Sequence, residues 1–480
     1  MIIRRTDHWV GSFFAENKMT NSKIALILLA SCSMVIAACG GGGGGGGSST
    51  PQATSSAGSS NTSTSSTSSS SSTSSSTSSS GSSSTTSSDD SSSSSDDSSS
   101  SSGDSNIAAM LRGITDNAII PNYEAQATAI TNFAASSGSL AAYCDAIGTD
   151  NEATSLTTVQ NEWKTVMATI QQAEPHAVGP VAINDDSLRN RIHSFANHDL
   201  QTCSLDQAVI KQSDADFDLT TRSSNQRGFG AIEYLLFDTT LTSQCSSNYE
   251  NATTWNALAD TDKKSQRCTY AKALASDADL AATSVLNKWQ ESGENYRADF
   301  ISEANAGNNL QALTDELLIH IDKEAKDRKM QVALGISGCT TDGCRAQIES
   351  PYSKTSLENV KNNMIGFLAV YNGGEGTGFD DYLSDMGEKA ISDGVIAKID
   401  AVQANIDATT VPLVDQVASL SEAANQTACT NAYGNPSTPS VELSACTLTG
   451  LLSETKAYMF YDFAVTMNVT IPDAAAGDND

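Results

Sequence analysis

Apolar residues recur at three- and four-residue intervals through most of the chain beyond residue 106. Ile107, Met110, Leu111, Ile114 and Ala118 make one such stripe, which runs on past Pro121. Val395, Ile396, Ile399, Val402 and Ile406 make another, and Leu413, Val414, Val417 and Leu420 extend it beyond Pro412. The same spacing predicts helices near 154–172, 252–290, 309–333, 355–371 and 443–467. Alternating, strand-like runs are few. The breaks are short: Pro175, Gly179-Pro180, a polar stretch over 214–228, and Asn372-Gly373-Gly374. Long helices joined by short loops imply antiparallel bundles. A polar waist near 300–309 divides the helical part into halves of about 107–303 and 304–480. The expected fold class is therefore all-α, two packed antiparallel helical bundles over 107–480.

The first quarter of the chain has no such periodicity. Residues 40–106 are almost wholly Gly, Ser and Thr with a few Asp, a composition that cannot bury a core. A coil of about 65 such residues has a root-mean-square span of roughly 45 Å, so it reads as a flexible tether. Ahead of it, Met19-Thr-Asn-Ser-Lys23 and the apolar run from Ile24 resemble the basic and hydrophobic regions of a secretory leader, with Met19 as its expected start. That run is too short to span a membrane. It ends in Ile36-Ala37-Ala38-Cys39, similar to the lipobox of bacterial lipoproteins. The resemblance implies a signal peptide over 1–38 and lipidation of Cys39. Gly40, where an Asp would retain the protein at the inner membrane, implies outer-membrane sorting, facing the periplasm or the exterior.

Charge narrows the partners. The 480 residues carry 27 Lys+Arg against 56 Asp+Glu, a net charge of −29, most of it on 107–480. A surface this acidic excludes nucleic acid, which needs a basic footprint, and docking on anionic lipid by charge alone. Contact with the membrane is then expected through lipidated Cys39. Eight cysteines remain in the helical part, an even number that suggests disulfides in an exported chain. Local spacing predicts Cys245–Cys268, Cys339–Cys344 and Cys429–Cys446, which leaves Cys144–Cys203.

The most informative segment is Arg227-Gly-Phe-Gly-Ala-Ile-Glu-Tyr-Leu-Leu-Phe-Asp238. On a helix, Glu233 falls in the middle of an apolar stripe. A carboxylate there must be protonated, salt-bridged, or turned to a polar cavity. Pairing with a core arginine, Arg191 or Arg227, is one solution. Gly228 and Gly230 permit close approach of a backbone or a ligand.

This segment resembles the signature of imelysin-like proteins, the M75 peptidase group, whose motif is Gly-x-His-x-x-Glu at the start of a helix. Other stretches agree: Thr115 to Tyr123, Trp163, Gly179-Pro180, Arg191-Ile-His-Ser, Cys203-Ser-Leu-Asp-Gln, Arg267 to Trp289, Glu349-Ser-Pro-Tyr-Ser353, and Gly477-Asp-Asn-Asp480. Gly228 and Glu233 match the first and last motif positions, but the histidine position holds Gly230. In this the chain is similar to a family branch of predicted periplasmic lipoproteins with a degenerate motif. The resemblance implies a cleft between two bundles, lined by Glu233, Gly228, Gly230, Arg227, Arg191, Glu349 and Ser353. It also implies iron or another divalent cation at Glu233, and iron-uptake components as partners. Because Gly230 supplies no ligand, a non-enzymatic binding protein of the cell envelope is expected. A surface peptidase and a structural or adhesive module are the alternatives.

Other candidates have bland readings. His193 and His198 lie five apart, off-register for one helical face, and read as surface or capping residues. His320 and Glu324, at i and i+4, could share a cation but read as a solvated pair. The glycine-rich run from Gly373 to Gly378 follows no strand and reads as a turn. No H-E-x-x-H, G-x-S-x-G or Walker-type loop occurs.

Overall fold

The computed structural model describes residues 98–182, 187–195, 199–339 and 344–476, and every regular element among them is helical. The leader, Cys39, most of the tether, His198 and residues 477–480 lie outside the described residues. Among the described residues no helix is long and apolar enough to cross a membrane.

The first apolar stripe becomes the helix Ser98–Ile114, which buries Met110, Leu111 and Ile114 completely. It leads through one wide π-turn, Thr115–Ile119, into Ile120–Ala134. Pro121 sits in the first turn of that helix, where its missing N–H costs little. Ile120–Ala134 packs with Glu152–Ala173 and the 30-residue helix Asp260–Trp289 to form the first bundle. The short helices Ser187–Ile192 and Gly228–Phe237 lie on Asp260–Trp289.

The second bundle contains Ala306–Ile319, its continuation His320–Gln331, Ser356–Tyr371, Lys389–Asp407 and Ser444–Tyr458. Its apolar stripes are those of the sequence: Val395, Ile399 and Val402 are fully buried. His320–Gln331 is wound as a π-helix over 12 residues. This winding buries His320, Asp322, Lys326 and Lys329 alongside Ile321, Ala325 and Met330. Long π segments are rare and often mark function.

The bundles meet where Ser356–Tyr371 lies on Glu152–Ala173. A Cβ at Gly366 would stand 2.0 Å from the carbonyl oxygen of Gln172, so only glycine allows this approach. The first helix, Ser98–Ile114, packs on Ala306–Ile319 in the other half.

Two expected disulfides are corrected. Cys144 pairs with Cys268, and Cys203 with Cys245, instead of Cys144–Cys203 and Cys245–Cys268. Cys268 lies on the inner side of Asp260–Trp289, against the helix Ser139–Ala146 that carries Cys144. Cys203, in the first turn of Thr202–Lys211, meets the loop that follows Gly228–Phe237. Tertiary packing therefore overrides sequence locality. Cys339 is joined to Cys344 and Cys429 to Cys446.

Candidate functional site

Gly228–Phe237 is apolar all round except for Glu233, and eight of its ten residues are buried. Gly228 opens it at φ +70°, with the carbonyl of Ile192 2.5 Å from where a Cβ would stand. The Trp163 indole N–H donates to the carbonyl of Phe229 at 3.0 Å, fixing the helix against the first bundle. Glu233 is thereby aimed at a chain segment from the second half.

That segment answers with donors instead of a cation. Glu233 Oε1 accepts from the backbone N–H of Tyr352 (3.0 Å), the backbone N–H of Ser353 (2.7 Å) and Ser353 Oγ (2.8 Å). The segment is held taut: Ser350 and Lys354 both take left-handed backbone conformations, φ 50° and 61°. Asn359 Nδ2 donates to Ser350 Oγ, and the Tyr352 ring meets Tyr234 edge-on. Burial pushes the Glu233 carboxyl up to about 7. The three hydrogen bonds oppose that rise, and the charge of Glu349 adds to it.

The arginines named from the sequence go elsewhere. Arg227 donates through Nε (3.0 Å) and Nη2 (2.6 Å) to Asp277 Oδ2, while Arg191 takes Oδ1 of the same carboxylate. The alternative of a Glu233–arginine pair is therefore overturned. Glu233 and Arg227 line a cavity of about 470 Å³, together with Gly230 and Glu349. Ser353 stands behind Glu233 and Arg191 beside Arg227, neither of them on the cavity wall. Phe195, Ile348, Pro351 and Tyr352 give the cavity its apolar wall, and Arg345 lies among its lining.

His193, read from sequence as a surface or capping residue, is a correction. It is 5 % exposed and lines the cavity. Its Nε2 lies 2.8 Å from Glu349 Oε1. Its Nδ1 and Cε1 each stand 3.6 Å from the point where a side chain at Gly230 would begin. An imidazole thus faces the space that Gly230 leaves open. No local pattern could have found it, because the partner of His193 is Glu349 in the other half of the chain.

Behind Glu349 runs a buried charged layer between the bundles, which sequence reasoning also missed. Glu349 Oε1 accepts from Gln171 Nε2 (2.9 Å) and Lys329 Nζ (3.3 Å). Burial opposes its charge, but Lys329 and His193 hold its carboxyl below the usual range. Lys329 Nζ also donates to Glu174 Oε2 (2.6 Å) and Gln171 Oε1 (2.5 Å). Glu324 is ion-paired to Arg189 and lies 3.1 Å from His320 Nδ1. The expected solvated His320–Glu324 pair is thus buried, because Arg189 reaches it from the first bundle. Glu174, His320 and Glu324 bring one potential ligand atom each within 4.8 Å of one another, a group able to hold a cation. Both of its carboxylates already have cationic partners, Lys329 and Arg189.

A profile of the imelysin family, Peptidase_M75, matches residues 119–438. Among solved structures, the fold is similar to that of an imelysin-like protein from Psychrobacter arcticum 273-4. The identity is 13 %, 78 % of this chain and 98 % of that chain are covered, and the TM-score is 0.56. A structure from Parabacteroides distasonis ATCC 8503, named for an iron-regulated protein A precursor, matches at 16 % identity over 74 % of this chain and 95 % of that one, with a TM-score of 0.49. No curated protein matches the chain.

Proposed function

The chain belongs to the imelysin family, and from that premise we propose that it is a non-enzymatic, lipid-anchored binding protein of the cell envelope. It takes a small metal-bearing ligand into the cavity between its bundles, in association with iron uptake and its components. The observation that carries this reading is the cavity itself. About 470 Å³ is enough for a small molecule, its walls are mostly apolar, and a few polar groups converge on it: Glu233, His193 and Arg227. In this reading Cys39 anchors the protein, Gly40 directs it to the outer membrane, and the tether gives the helical module its reach.

The binding role is favoured over catalysis by the hydroxyl nearest Glu233. Ser353 Oγ donates to Glu233 Oε1 at 2.8 Å and lies 2.9 Å from Thr355 Oγ1, but Ser353 is not on the cavity wall where a substrate would meet it. One observation favours the peptidase alternative: a carboxyl with its pKa near 7 has the range of a general acid or base.

Both readings meet the same preparation. After loading with iron, zinc or copper and desalting, the wild-type protein should retain metal, and Glu233→Ala should retain less by roughly tenfold in affinity. Absence of bound metal from both proteins would overturn the metal-binding reading. Cleavage of unfolded substrates by wild type, abolished in Glu233→Gln, would replace it with the peptidase.

A further inference from the structure

We propose that His193 supplies, from outside the signature helix, the imidazole that Gly230 lacks, with Nδ1 as the atom that coordinates a first-row transition-metal cation beside Glu233. The inference rests on the reading of the cavity as a metal-binding site and names the nitrogen that completes it.

Three observations fit the residues to this role. First, His193 Nδ1 is buried and has no hydrogen-bond partner among the described residues. A buried polar atom left unpaired is costly, and one on the wall of a cavity is explained by what enters the cavity. Second, Glu349 fixes which nitrogen is offered. Its Oε1 is already an acceptor, for Gln171 Nε2 at 2.9 Å and Lys329 Nζ at 3.3 Å, so the proton shared with His193 sits on Nε2, which donates across 2.8 Å. In the neutral ring the lone pair is then on Nδ1. A carboxylate behind the imidazole is also the usual way a coordinating histidine is oriented. Third, the Gly230 backbone leaves the space open: the atoms nearest a Cβ there are Nδ1 and Cε1 of His193, at 3.6 Å. A histidine at 230 and one at 193 would compete for the same volume, and this chain carries only the second.

Two other buried histidines have a nitrogen without a partner, His176 Nδ1 and His320 Nε2. Neither lines the cavity. An imidazole and a single carboxyl leave most coordination positions open, so the metal would arrive with ligands of its own. The cavity has the volume for them.

Copper(II) is the probe, added as its simple salt to the purified full-length protein. Electron paramagnetic resonance reads directly whether an imidazole nitrogen is bound, and competition titration reads affinity. Wild type should show coupling to one imidazole nitrogen. His193→Ala should lose that coupling and roughly tenfold or more in affinity. His193→Gln keeps a donor toward Glu349 while removing Nδ1, so it separates coordination from folding; it should lose the coupling with thermal unfolding close to wild type. The swap His193→Ala with Gly230→His should restore the coupling. Wild-type spectra and affinity in both single variants would overturn the proposal. If Glu233→Gln still weakens binding in that case, the cavity reading stands and only His193 falls; if it does not, both fall. Loss of the coupling in His320→Ala alone would also overturn the proposal, placing the metal at Glu174, His320 and Glu324.

Discussion

Glu233 and Glu174 are two buried carboxylates of one interbundle layer, 1 % and 6 % exposed, and they are perturbed in opposite directions. Burial pushes both toward the neutral form. For Glu174 that push is overcome by Lys329 at 2.6 Å, with Arg189 at 4.0 Å, and its carboxyl stays ionised far into acid. Glu233 has only neutral donors, and the charge that shifts it is another carboxylate, Glu349. What separates a structural acid from a site acid here is the company of a cation. The first is closed by its partners; the second is turned to a cavity and can still change its proton.

Removing that cation should erase the difference, and this is the largest effect expected. Lys329→Met leaves Glu174 and Glu349 buried without their shared ammonium, a loss of about 3–5 kcal/mol by the cost of orphaning a buried charge. Urea unfolding at pH 7 measures it. The deficit should shrink on acidification, as the orphaned carboxylates take up protons. A loss below about 1 kcal/mol would mean that the layer is already compensated by Gln171 and Asn363.

Next comes the sign of the pH dependence. Glu174, with its carboxyl depressed, contributes stability that is present above the ordinary carboxylate range and lost as pH falls through its folded value. Glu233 does the reverse. Its folded value of about 7 lies above the ordinary 4.5, so the native state holds a proton that the unfolded chain has released. Stability therefore declines as pH rises from 4.5 to 7 and stays low above it. Glu233→Gln keeps an acceptor for Tyr352 and Ser353 without the proton. It should remove that decline, worth about 3 kcal/mol between pH 4.5 and 8 at 1.36 kcal/mol per unit. A parallel stability profile for the two proteins would show that Glu233 is charged in the native state at neutral pH.

How much of this contrast could be read in the sequence depends on the range of the contact. The helices were legible: spacing over 355–371 meets Ser356–Tyr371, and 154–172 meets Glu152–Ala173, because each stripe needs only its own periodicity. The stripe at 309–333 gave a helix but not its π winding, which turns Lys329 and His320 inward. Glu233 stood out because it interrupts an apolar helix. Glu174 and Lys329 did not, and Glu349 entered only through the family resemblance, since each lies on a different element and acquires its meaning only where the bundles meet. The same limit misdirected Cys144 and Cys203, whose partners are set by packing, and His193, whose neighbours Gly230 and Glu349 belong to other elements.

The finest test of the contrast is Ser353→Ala. It deletes one of the three donors to Glu233 Oε1 and keeps the backbone N–H groups of Tyr352 and Ser353 itself. If Glu233 is neutral in acid and charged in base, the lost hydrogen bond is to a carboxylic acid at pH 5 and to a carboxylate at pH 8. A bond to a charged group is worth about twice one to a neutral group. The variant should therefore lose about 1 kcal/mol at pH 5 and about 2 kcal/mol at pH 8 in urea unfolding. Glu174 provides the control, because Asn363 Nδ2 donates to it at 2.9 Å. Asn363→Ala should show no such growth between pH 5 and 8, since Glu174 is ionised throughout that interval. Equal losses for Ser353→Ala at the two pH values would mean that Glu233 does not change its charge, and the two carboxylates would then differ in their partners but not in their state.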